Sequence, residues 1–128
     1  MFPEQPILVV DDHSDVKEAM RAVLEAEGYR VLTADSGLQA LELLERGLRP
    51  ALIILDLMMP EMDGWEFRAR QLARRDLAAI PTIIYSAGIA VRSAARDLGA
   101  AAAFQKGDDL TEMLKAVAAV CLRPGGDV

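Results

Sequence analysis

Short apolar runs and helix-like stripes alternate along the chain. The runs include Ile7-Leu8-Val9-Val10, Val31-Leu32, Leu52-Ile53-Ile54-Leu55 and Ile83-Ile84. Apolar runs this short, bounded by polar residues, predict strands buried on both faces. We place strands over 7–11, 30–34, 51–56, 80–86 and 101–105. Pro81 falls near the start of the fourth, where a missing N–H costs least. The fifth is weakly marked, because Ala101, Ala102 and Ala103 supply most of it.

Between the strands the apolar period lengthens. Val16, Ala19, Met20, Val23 and Leu24 form one stripe of a helix that starts near Ser14 or Asp15 and ends at Gly28. Ser36 caps a second helix carrying Ala40, Leu41 and Leu44, which Gly47 closes. A loop with Pro60 and Gly64 leads to a third helix over about 65–75. The fourth covers 90–98, with Val91, Ala94, Ala95 and Leu98 inward. The fifth runs from the cap candidate Asp108 to Cys121, with Leu110, Leu114, Val117 and Cys121 inward.

Five strand–helix units joined by right-handed crossovers give an α/β fold: a doubly wound parallel sheet with helices on both faces. The 128 residues suit one domain, read as 6–121 between a tail at 1–5 and another at 122–128. A hydrophobic share of 52% against 27% charged residues favours a packed core over disorder. A net charge of -6 argues against direct nucleic-acid binding. The single cysteine allows no internal disulfide. No apolar run reaches the roughly 18 residues of a membrane span, and the start lacks the basic and apolar regions of a signal peptide. The expected location is the cytoplasm, with no membrane association.

Candidate chemistry collects at the strand ends. Asp11 and Asp12 follow the first run, and Asp56 follows the third. In open α/β sheets, ligands bind outside the carboxyl ends of the strands. Three carboxylates converging there need a positive partner, and a hard cation such as Mg2+, held by oxygen ligands, is the natural one. Ser86 ends the fourth strand and Lys106 the fifth, so a hydroxyl and an ammonium join the same rim. Taken singly, each residue has a plainer reading: Asp11 and Asp12 as helix caps, Ser86 as a loop serine, Lys106 as a surface lysine.

Together these segments resemble the receiver domain of two-component response regulators. The residues that carry the likeness are Val9-Val10-Asp11-Asp12, Asp56-Leu57-Met58-Met59-Pro60-Glu61-Met62-Asp63-Gly64, Tyr85-Ser86-Ala87 and Lys106. The resemblance implies a flavodoxin-like three-layer sandwich with strand order 2-1-3-4-5. It implies that Asp56 is the phosphoacceptor, a carboxylate nucleophile. Asp11, Asp12, Asp56 and the backbone carbonyl of Met58 would hold Mg2+. Lys106 would contact the phosphoryl group, and Ser86 would bond to it once it is present. The phosphoryl donor would be a histidine kinase or histidine phosphotransfer protein, docking at helix 1. A downstream protein reader or a fused output domain would read the face built from helix 4, strand 5 and helix 5. With no output domain after Val128, the chain is either a stand-alone receiver or one cut from a longer protein. The domain would catalyse only its own phosphorylation and dephosphorylation.

Two positions depart from the family. Gly107 stands where a proline usually follows the lysine. Ala103 stands where an aromatic usually precedes the lysine by three, and strand alternation sends its neighbour Phe104 to the opposite face. Two alternatives therefore stay open. One is a Mg2+-dependent phosphohydrolase attacking through Asp56, although such enzymes commonly carry a second carboxylate two residues later, where this chain has Met58. The other is a degenerate receiver that binds a partner without phosphorylation. His13, the single histidine, is read as a solvent-facing residue before helix 1. Cys121 and Phe67 are assigned to the core, Trp65 to the mouth of the site. Arg68, Arg70, Arg74 and Arg75 are read as a solvated face.

Overall fold

The computed structural model describes residues 5–88 and 91–121. The predicted helix start at Ala90, the C-terminal tail and most of the N-terminal tail lie outside the described residues. Five strands, β1 (Ile7–Val10), β2 (Val31–Ala34), β3 (Leu52–Leu55), β4 (Thr82–Ser86) and β5 (Ala102–Gln105), alternate with five helices. The helices are α1 (Ser14–Ala26), α2 (Gly37–Glu45), α3 (Gly64–Leu72), α4 (Val91–Leu98) and α5 (Thr111–Cys121). All strand pairs are parallel, in the order β2-β1-β3-β4-β5. The expected doubly wound, flavodoxin-like architecture is therefore present.

The apolar strands are continuous because both faces are covered. Leu8, Val10, Ile53, Leu55 and Ile84 point to a layer with Ala40, Leu41 and Leu44 of α2, Phe67 of α3, and Val91, Ala94 and Ala95 of α4. Ile7, Val9, Leu52, Ile54 and Ile83 point the other way, onto Met20 and Leu24 of α1 and Met113, Val117 and Cys121 of α5. Each strand thus serves two cores, which only an alternating side-chain direction allows. The assignments of Phe67 and Cys121 to the core hold.

Local chemistry sets the helix ends. Ser36 accepts a hydrogen bond from the Gln39 N–H at 3.1 Å, as an N-cap should. Asp63 does the same for the Glu66 N–H at 2.9 Å and starts α3. At α5 the side chain engaged is Asp109, not the predicted Asp108: its Oδ1 accepts from the Thr111 N–H at 2.8 Å. The third helix is shorter than expected. It stops at Leu72, and the Arg74 and Asp76 side chains pair in the turns that follow.

Two predicted faces need correction. On α1 the buried residues are Lys17, Met20 and Leu24, while Ala19 is exposed. Lys17 lies in the packed face with its ammonium on the Asp35 carboxylate at the end of β2. Arg68 is not solvated: it is 5% exposed. Its guanidinium donates to Gln71 Oε1 at 2.8 Å, Thr82 Oγ1 at 3.1 Å, Leu98 O at 3.1 Å and Gly99 O at 3.2 Å. It thereby satisfies carbonyls at the C-terminus of α4, which attract positive charge. No carboxylate is among these partners, and burial lowers its pKa from the ordinary arginine value.

Candidate functional site

Sheet register builds the site. Val10 pairs with Leu55 across β1 and β3, so the next residues, Asp11 and Asp56, leave the sheet side by side. The Asp56 N–H donates to the Val10 carbonyl at 3.0 Å and fixes this last step. Ser86 pairs with Gln105 across β4 and β5, and the Lys106 N–H donates to the Ser86 carbonyl at 2.9 Å. One rim, at the switch point between β1 and β3, therefore receives both acids, the hydroxyl and the ammonium.

The side chains meet there. Asp11 and Asp56 are both buried. Lys106 Nζ lies 2.8 Å from Asp11 Oδ2 and 3.2 Å from Asp56 Oδ2, bridging the two. The Ser86 hydroxyl donates to Asp56 Oδ1 at 2.6 Å and itself accepts from the Leu57 N–H at 3.2 Å. The Met58 N–H donates to the same Oδ1 at 3.2 Å. One oxygen of Asp56 is thus held by hydrogen bonds, while the other faces the ammonium. Burial alone lowers the Lys106 pKa, but the hydrogen bond to Asp11 and the charges of Asp56 and Asp11 outweigh it. The net effect holds the pKa above that of an ordinary lysine.

The backbone after Asp56 needs a glycine. A Cβ on Gly64 would sit 2.7 Å from the Asp56 carbonyl oxygen and 2.7 Å from Leu57 Cα. The Gly64 N–H donates to the Leu57 carbonyl at 2.9 Å, tying the loop after β3 to the start of α3. Gly107 takes φ +95°, a left-handed conformation outside the range open to proline. Ala103 packs with the α2–α3–α4 layer and Phe104 with the α1–α5 layer, as alternation required.

The side chains at this rim suit a cation. Carboxylate oxygens of Asp11, Asp12 and Asp56 lie with an imidazole nitrogen of His13 inside one cluster, all within 4.8 Å of one another. Asp12 Oδ1 is buried without a hydrogen-bond partner, the only such side-chain atom among the described residues. A buried carboxylate oxygen in that condition is costly unless a cation completes it. Neither Asp11 nor Asp12 caps α1: its N-cap is His13, whose side chain makes no capping bond. Asp11 Oδ1 instead accepts from the His13 N–H at 2.9 Å. His13 is 61% exposed at its side chain, yet its Nδ1 lies 3.1 Å from Asp11 Oδ1 and 3.3 Å from Asp12 Oδ1. The expected solvent exposure of this residue holds, and its contact with the acids is additional. Its position next to two acids was the available signal, but only the turn into α1 aims the ring. Trp65 lies at the mouth, lining an apolar groove of about 370 Å³ with Leu57, Met58, Ser86 and Val91.

The family described as the response regulator receiver domain matches residues 7–118. This chain belongs to that family. It is 37% identical to the response regulator MprA of Mycobacterium leprae over 123 residues, covering 94% of this chain and 53% of that protein. It therefore spans about half the length of that relative. It is 31% identical over 113 residues to the sporulation initiation phosphotransferase F of Bacillus subtilis, covering 88% of this chain and 90% of that one. Among solved structures it is similar to the response regulator TrrA of Thermotoga maritima in complex with Mg(2+)-BeF. There the TM-score is 0.80 at 28% identity, over 91% of this chain and 98% of that one.

Proposed function

We propose that this receiver domain, residues 6–121, accepts a phosphoryl group on Asp56 from a histidine kinase or histidine phosphotransfer protein. One observation carries the reading. The buried Asp56 carboxylate has its two oxygens differently engaged, Oδ1 by the Ser86 hydroxyl at 2.6 Å and Oδ2 by Lys106 at 3.2 Å. An oxygen of Asp56 attacks the phosphorus as the P–N bond to the donor histidine breaks, and that histidine, already protonated at its other ring nitrogen, leaves as neutral imidazole. Lys106 is a point charge for the incoming phosphoryl oxygens. Asp11, Asp12, Asp56 and the Met58 backbone carbonyl would hold Mg2+, which neutralises charge on the transferring group when bound.

Transfer also breaks an existing contact. Once Asp56 carries the phosphoryl group, the Ser86 hydroxyl turns to it from the carboxylate. That change removes a contact made by the end of β4, so phosphorylation biases a conformational equilibrium. The face of α4, β5 and α5 then presents a different surface to a protein reader or to an output domain elsewhere in a longer chain. Among the described residues no helix is long and apolar enough to cross a membrane, in keeping with action in the cytoplasm. The -6 charge supports protein partners over nucleic acid. The phosphohydrolase alternative is weakened by Met58, an apolar side chain 62% exposed where such enzymes carry an acid.

The test is labelling with acetyl phosphate, read by intact-protein mass spectrometry. One phosphoryl per chain is expected, dependent on Mg2+ and absent from Asp56→Asn. Labelling that persists in the variant, or continuous turnover of small phosphate esters, would reject the assignment.

A further inference from the structure

We propose that His13 is an additional ligand of this metal site and selectively strengthens its hold on nitrogen-preferring transition ions such as Zn2+, Ni2+ and Co2+. The inference rests on the metal reading of Asp11, Asp12 and Asp56. An octahedral ion with ligands at about 2.1 Å sets neighbouring donors about 3.0 Å apart. His13 Nδ1 stands 3.1 Å from Asp11 Oδ1 and 3.3 Å from Asp12 Oδ1, close to two such edges. The second of these oxygens is the buried one without a hydrogen-bond partner. A His13 ring nitrogen also lies within 4.8 Å of a carboxylate oxygen of Asp56, so the four side chains converge on one small volume that modest side-chain closure onto an ion would complete.

The donor chemistry gives the direction. Carboxylate and carbonyl oxygens suit Mg2+, whereas imidazole suits Zn, Ni and related ions. An all-oxygen site already binds those ions better than Mg2+, so the diagnostic quantity is the part of the preference that depends on His13. The ring contributes little to the fold: it makes no capping bond to α1, its Nδ1 shares a 3.1 Å hydrogen bond with Asp11 Oδ1, and it is mostly in solvent. It can therefore be removed without unfolding the chain.

The chain has one histidine, so in a tag-free protein any imidazole signal is His13. Ring nitrogens labelled with 15N are followed by NMR while Zn2+ or Mg2+ is added, and affinities are measured by calorimetry. Zn2+ should shift the Nδ1 resonance strongly and Nε2 little. His13→Ala should lose about tenfold or more in Zn2+ and Ni2+ affinity, with Mg2+ affinity changed less than about twofold. Asp12→Asn should weaken all of these ions. Equal Zn2+ affinity in wild type and His13→Ala, or ligation through Nε2, would overturn the inference while leaving the Mg2+ site intact. Failure of the wild type to bind Mg2+ would overturn the metal reading itself, and this proposal with it.

Discussion

Neutralising the nucleophile should stabilise the metal-free protein. Three carboxylates and one ammonium crowd the rim, and their contributing oxygens lie within 4.8 Å of one another. At an effective dielectric of about 20, two unit charges at that separation repel by roughly 3.5 kcal/mol. Asp56 feels this from Asp11 and, partly screened by solvent, from Asp12. Against it stands attraction to Lys106 at 3.2 Å, roughly 5 kcal/mol on the same scale. Asp56→Asn removes both effects and also the cost of burying a charge. Its amide oxygen can still accept from Ser86 and the Met58 N–H. The balance favours the variant by about 1–3 kcal/mol, or about 4 °C in Tm per kcal/mol for a domain of this size. Thermal and urea unfolding in EDTA should show it. Mg2+ at a hundred times its Kd should then raise the wild type by about 2.7 kcal/mol and the variant by less, closing or reversing the gap. An Asn variant no more stable than wild type in EDTA, with the same Mg2+ response, would refute the electrostatic account of this crevice.

Three further outcomes test the surrounding structure. Arg68→Met should lower stability by about 2–4 kcal/mol in urea denaturation, because the Leu98 and Gly99 carbonyls lose their buried donor; a change under about 0.5 kcal/mol would show the clamp to be idle. Gly64→Ala should cost at least about 1–3 kcal/mol and slow phosphorylation, since the new Cβ meets backbone at 2.7 Å on two sides; normal labelling kinetics would show that the loop yields freely. The Lys106 pKa is raised in the fold by Asp11 and Asp56 against the opposing effect of burial. Its contribution is therefore complete below the unfolded lysine value of about 10.4 and fades as pH rises through the folded value. Wild type in EDTA should lose stability relative to Lys106→Met only across that alkaline range, and a difference growing toward acid would invert the assignment.

The alternation of apolar runs with 3.6-period stripes was enough to specify five parallel strands between two helical layers. A buried parallel strand must be apolar throughout, and Leu52–Leu55 obeys that rule. Asp11 and Asp56 were legible for the same reason, since each is the first polar residue where an apolar strand stops, while Ser86 and Lys106 were placed at the ends of the fourth and fifth strands. Strand alternation also assigned Ala103 and Phe104 to opposite faces. Packing decided what periodicity could not. Lys17 and Arg68 are long cationic side chains that look solvated in sequence; a buried place becomes tolerable only when Asp35 or the carbonyls ending α4 arrive from distant segments. Asp109, and not Asp108, came within reach of the Thr111 N–H. The ring of His13 gained its two carboxylate neighbours only because the chain turns into α1 immediately after the sheet edge. Which residues are polar is written locally; which of them share one small volume is set by sheet register.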